Sequence, residues 1–235
     1  MHVSSHESGR SKSPEAGVRQ PGQSILAATS PRWTARHMAR IKPLLFIVGL
    51  YPLLRWLWLG FHDGLTANPP EFLIRSSGLW ALVALCLTLA VTPLRRWLNQ
   101  PALVRCRRML GLFSFFYAAL HVMAWAYWEQ GLLWSAMWHD IIQRTFIAVG
   151  VVAVLPMLAL AITSTRGWMR RLGAGWQTLH RLVYAIAVLS VWHFWLVRAG
   201  KNDFVEVYIY AGITAALLLV RWLPAWLRRT AQAMC

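Results

Sequence analysis

Six apolar runs, each close to the length of a bilayer crossing, divide this chain: residues 43–61, 72–92, 109–128, 142–163, 178–197 and 205–224. A helix needs about 20 residues to cross a hydrocarbon core of ~30 Å. Within that core every backbone polar group must be satisfied inside the protein, which restricts spanning segments to helices and closed barrels. The spacing predicts an all-α integral membrane protein, a single bundle of six transmembrane helices. The first run is too long for a signal-peptide core and lacks a small-residue cleavage site, so it reads as a retained helix. Charged residues make up 14% of the chain, against about 25% in an average soluble domain.

The charge that remains is lopsided: 24 Lys and Arg against 8 acids, a net +16. That balance invites a nucleic-acid reading, which the placement of the charges rejects. Arg95, Arg96, Arg105, Arg107 and Arg108 share the connection 93–108, and Arg166, Arg170 and Arg171 share 164–177. Arg32, Arg36, Arg40 and Lys42 precede the first run, and Arg228 and Arg229 follow the last. The connections 62–71 and 129–141 carry no Lys or Arg, and 198–204 carries Arg198 and Lys201. The positive-inside rule then puts both termini in the cytoplasm. Residues 1–40, rich in Ser, Pro, Gly, Arg and His, read as a disordered cytoplasmic tail. A translation start at Met38 is an alternative reading of the same stretch. Residues 41–228 form the membrane domain and 229–235 a short cytoplasmic tail. Trp128, Trp134, Trp138, Trp168 and Trp176 fall where an aromatic belt belongs.

Several chemistries are excluded. Cys86, Cys106 and Cys235 form no CxxC pair, so neither an iron–sulfur cluster nor a structural zinc site is indicated. No internal repeat, no GxGxxG after a strand and no Walker A sequence is evident. No stretch is long enough for a soluble nicotinamide- or flavin-binding domain, so any electrons must come from a separate donor.

Three histidines lie inside the apolar runs: His121, His180 and His193. An ionisable group in a membrane span is costly and needs a partner, and neutral imidazole is a common axial ligand of haem iron. His180 and His193 are predicted on one helix, 13 residues apart, a rise of roughly 20 Å with a turn of about 220°. Counted from the basic connections, His121 and His193 fall at similar depth in the outer half. His180 falls near the cytoplasmic side. His121 and His193 can therefore hold one iron from opposite sides, with His180 at a second level. The competing readings are hydrogen bonding between helices and proton or metal transport, though a metal transporter usually wants acidic groups in its spans, and here they are nearly absent. Phe116, Trp125, Phe194 and Trp195 are candidate apolar walls. His37, His62 and His139 read as solvated. Arg55 either snorkels to the interface or meets a haem propionate or quinone oxygen.

The segments TPLRR (92–96), RRMLGL (107–112) with LH (120–121), TSTRGWMRRLG (163–173) and WQTLHRLVY (176–184) with WHFW (192–195) stand in a specific order and spacing. Together with TANPPEF in an outer connection they closely resemble the MsrQ (YedZ) family over about residues 41–224. That family lies within the ferric-reductase-like transmembrane group. The resemblance implies a six-helix cytochrome b in the bacterial inner membrane, passing electrons to a periplasmic molybdenum-dependent methionine sulfoxide reductase, MsrP. It implies one or two b-type haems, quinol as donor, bound FMN, and a cytosolic flavin reductase as a second route. The family's ligand histidines map onto His121, His180 and His193. The wider group often carries two histidines on each of two helices. Here Arg107 stands 14 residues before His121, so a second haem would pair His180 with Arg107 or with a weak ligand.

Overall fold

The computed structural model describes residues 35–62 and 64–233, with the side chain of His37 and those from Ala39 to Arg221 apart from Asp63. Every regular element among the described residues is helical. In order they are α1 (Ala35–Phe61), α2 (Pro69–Trp97), α3 (Val104–Ala124), α4 (Trp134–Gln143), α5 (Thr145–Ile162), α6 (Arg166–Leu172), α7 (Ala174–Leu179), α8 (Leu182–Ala199) and α9 (Val205–Ala233). A short 3-10 turn, Pro101–Leu103, leads into α3, and a π-helical turn, Trp125–Glu129, ends it.

Among the described residues five segments are long and apolar enough to cross a membrane: Ala39–Phe61, Pro69–Trp97, Pro101–Glu129, Thr145–Ile162 and Ala174–Ala199. Helix α9 stands where the sixth crossing is expected. Residues 1–34 of the expected tail lie outside the described residues, whereas 35–40 already belong to α1. At the other end α9 runs to Ala233, beyond residue 228, and residues 234–235 lie outside the described residues.

Local signals explain the starts and breaks. Asn68 caps α2, its side-chain oxygen accepting from the Glu71 N–H at 3.4 Å while its amide donates to the Glu71 carboxylate at 3.2 Å. Pro69 and Pro70 fill the first turn, where a missing N–H costs nothing. Gly173, with φ +49°, separates α6 from α7; a side chain would strain that backbone. The expected single helix carrying both His180 and His193 is broken. Helix α7 stops at Leu179 and α8 starts at Leu182, with His180 and Arg181 in the turn between them. Helices not anticipated from polarity begin in the connections 129–141 and 164–177, α4 in the first and α6 and α7 in the second; α4 takes residues 142–143 of the expected fourth crossing, which starts at Thr145, and α7 takes residues 178–179 of the expected fifth.

Lipid tails are as apolar as leucine, so helices in a bilayer are held by close packing and buried polar bridges. Leu89 and Ile186 centre one cluster, with Leu85, Ala118, Met157, Val183 and Ala187. A second cluster joins Trp56, Ala84, Phe113 and Tyr117. Polar bridges tie the same helices. The Ser114 hydroxyl donates to the Ala81 carbonyl at 2.9 Å, Tyr117 donates to the Gly49 carbonyl, and the Trp56 indole donates to Ser76 at 3.0 Å. Helix α9 is held by Arg221, which donates to Tyr184, Thr92 and the Leu89 carbonyl. Leu44, Ile47, Leu54 and Leu57 of α1 face outward, as lipid-facing residues do.

Candidate functional site

The bundle contains a cavity of about 700 Å³ between α2, α3, α5 and α8, within the range of roughly 300–1,000 Å³ typical of cofactor sites. His121 from α3 and His193 from α8 both line it, with Gly78, Gly150, Trp125, Phe146 and Phe194. The two imidazole rings have centroids 6.0 Å apart and planes crossed at 81°. His121 Nδ1 lies 2.7 Å from the Ile74 carbonyl on α2, and His193 Nδ1 lies 2.7 Å from the Phe146 carbonyl on α5. A carbonyl only accepts, so each Nδ1 must donate. That fixes the tautomer and leaves each Nε2 with a free lone pair.

The separation suits one metal between the rings. A metal–imidazole bond of roughly 2 Å on each side, with about 1 Å more from each ring centre to its nitrogen, predicts centroids about 6 Å apart. An apolar cavity with two neutral imidazole donors is the donor set of a bis-histidine haem. Among the described residues no three His, Cys, Asp or Glu side chains gather as a metal-ion cage would require.

One end of the cavity is charged. Arg75, Arg144, Arg198, Glu71 and Glu206 line it. Arg75 pairs with Glu71 at 2.7 Å, Arg144 with Asp140 at 2.9 Å, and Arg198 with Asp203 at 3.0 Å and with Glu206. Asp140 is buried and also accepts from Gln130 at 2.8 Å and from the Trp125 indole at 3.3 Å. It thereby pins α4 over the end of α3. Replacing Asp140 by alanine would strand the Gln130 and Trp125 donors, whereas the exposed Arg144 turns to solvent, and a stranded buried donor costs ~1–3 kcal/mol. Asp140→Ala is therefore expected to lower the thermal midpoint of the detergent-solubilised protein by several degrees, read by fluorescence-detected size exclusion after heating. Asp140→Asn should lose less.

The other sequence candidates lie elsewhere. His180 is not in the cavity. It stacks on Trp176 with centroids 3.9 Å apart, and its Nδ1 lies 3.1 Å from the Trp176 carbonyl. Arg107 is on α3, about 21 Å along the helix from His121, and lies within electrostatic reach of His180, Arg221 and Tyr184. Trp125 and Phe194 do wall the cavity. Phe116 instead packs on Tyr117, and Trp195 meets Phe204. Arg55 is exposed on α1. His62 stacks on Trp58, and His139 is exposed. Sequence reading missed Gly78, Gly150, the two carbonyl acceptors, Asp140 and the three cavity arginines. The histidine follows its acceptor by 47 residues in both pairs, but a backbone acceptor and a membrane-helix glycine carry no distinctive signal in the sequence.

Residues 77–191 match the family described as the ferric reductase like transmembrane component. A protein of Bordetella pertussis (strain Tohama I) named protein-methionine-sulfoxide reductase heme-binding subunit MsrQ is 57% identical over 200 residues, covering 85% of this chain and 97% of its own length. Proteins of the same name from Ralstonia nicotianae and Xanthomonas campestris pv. campestris (strain B100) are 47% and 42% identical. They cover 81% and 89% of this chain and 88% and 90% of their own lengths. No solved structure matches the chain.

Proposed function

Because the chain belongs to the MsrQ family, we propose that it is the haem-binding membrane subunit of a protein-methionine-sulfoxide reductase system, with His121 and His193 as the axial ligands of a b-type haem. The observation that carries this reading is the pair of imidazoles 6.0 Å apart, each with Nδ1 on a backbone carbonyl. A haem bound there supplies reversible one-electron transfer between ferric and ferrous iron. The protein's part would be to offer the Nε2 lone pairs of both imidazoles to the iron, and ligation by two imidazoles suits transfer rather than oxygen chemistry. Trp125, Phe146 and Phe194 would give the macrocycle apolar walls, and Arg75, Arg144 and Arg198 are placed to take propionates through charge-assisted hydrogen bonds.

The finer assignment follows the family. We propose six crossings of a bacterial inner membrane with both termini cytoplasmic, supported by the basic connections 93–108 and 164–177. Electrons would come from quinol, with FMN and a cytosolic flavin reductase as a second route, and would leave to a periplasmic MsrP-like molybdoenzyme that repairs oxidised envelope proteins. His180 and Arg107, at the cytoplasmic end, would form the entry point or a second haem position.

The test of the haem reading is optical. Purified protein should show a Soret band that sharpens and shifts on dithionite and a b-type pyridine haemochrome; a colourless protein would overturn the proposal. A chain beginning at Met38 should insert and bind haem as the full chain does, since no residue lining the cavity precedes Asn68. Loss of haem on that truncation, measured as haem per protein, would contradict this.

A further inference from the structure

The two histidines are presented by one local construction used twice. His121 bonds the Ile74 carbonyl and lies against Gly78, whereas His193 bonds the Phe146 carbonyl and lies against Gly150. In both pairs the acceptor stands four residues before the glycine. In an α-helix the residue at i+4 sits one turn along on the same face as residue i. A side chain there would shield the carbonyl of i from the side. Glycine leaves it open to an imidazole from the neighbouring helix.

The clearance is tight. A Cβ at residue 78 would lie 3.0 Å from His121 Nδ1 and 3.1 Å from its Cε1. A Cβ at residue 150 would lie 2.9 Å from His193 Cε1 and 3.0 Å from its Nδ1. Ordinary carbon contacts run at about 3.5–4.0 Å. Neither ring can step back freely, because its Nδ1 is anchored to the helix that carries the glycine. Glycine in a helix interior is destabilising relative to alanine, and here it stands at both points of ring contact.

We propose that Gly78 and Gly150 are positioning residues that set the crossed orientation of the two axial imidazoles. The inference rests on the haem reading above. The angle between axial imidazole planes controls the splitting of the iron d orbitals. Crossed planes give a highly anisotropic low-spin electron paramagnetic resonance signal, and near-parallel planes give a rhombic one. An added methyl group must rotate or displace its ring, so it changes that signal without removing a ligand.

The experiment uses the full chain in membranes, with Gly78→Ala and Gly150→Ala against Gly212→Ala, where an added Cβ meets nothing within 4 Å. Wild type and Gly212→Ala should show the highly anisotropic signal. Each of the other two variants should keep a b-type haemochrome but lose that feature, with a displaced midpoint potential. A wild-type spectrum and potential in either variant overturns the role of that glycine, and a rhombic signal in the wild type overturns the crossed arrangement. If Gly78→Ala fails to accumulate, the double variant Gly78→Ala/His121→Ala decides. Accumulation restored to the level of His121→Ala assigns the defect to the ring contact, and continued absence overturns the proposal. Failure of the haem reading is separate: haem retained in full after His121→Ala and His193→Ala would show that these rings hold no iron.

Discussion

Alanine at His121 or at His193 is expected to abolish one and the same low-spin b-type signal. The two rings share a cavity and stand at the separation one metal would impose. Losing either leaves a single imidazole that cannot hold a closed coordination sphere. Losing only an outer hydrogen-bond partner of a metal ligand costs about 10–100-fold in affinity, so losing the ligand itself should bring haem per protein below about a tenth of wild type. Haem-to-protein ratio and reduced-minus-oxidised spectra of both variants check this. If either keeps a full wild-type spectrum with unchanged haem content, the pairing is wrong. Each variant should still insert, because the rings contribute one backbone bond apiece to a bundle held by Leu89, Ile186, Tyr117 and Arg221.

His180→Ala should behave differently. His180 lies outside the cavity, in the turn before α8, against Trp176 and within electrostatic reach of Arg107. Its loss is expected to leave at least part of the His121–His193 signal while slowing reduction by quinol roughly tenfold, about 1.4 kcal/mol of barrier. Arg107→Ala should match it if Arg107 serves the same entry point. Stopped-flow reduction alongside haem-to-protein ratios separates the outcomes. A ratio near one in the wild type, with total loss of haem in His180→Ala, would place His180 on the single haem and refute a two-level arrangement.

Much of the architecture was legible from hydropathy because burial in lipid is a demand made on each segment separately. Each of the first five expected crossings overlaps a segment long and apolar enough to span, and α9 stands at the position of the sixth. The family was legible too, from motifs whose order and spacing are more specific than any one of them. The break at His180–Arg181 was not, since apolar residues continue on both sides of it and no glycine or proline marks it. Helix α4 was hidden in a connection that has no membrane-length apolar run.

What the sequence by itself determined is a helical membrane protein with three costly histidines and the matched depth of two of them. Hydropathy and charge are properties of a segment, and depth follows from counting residues along a helix of fixed rise. Only the tertiary structure decided that His121 and His193 converge while His180 and Arg107 stand apart. Ring convergence depends on how α2 packs on α3 and α5 on α8, and on whether a helix carbonyl is left uncovered for the imidazole. Gly78 and Gly150 uncover the carbonyls of Ile74 and Phe146. A glycine in a membrane helix is common enough to carry no meaning until the ring it admits is seen against it.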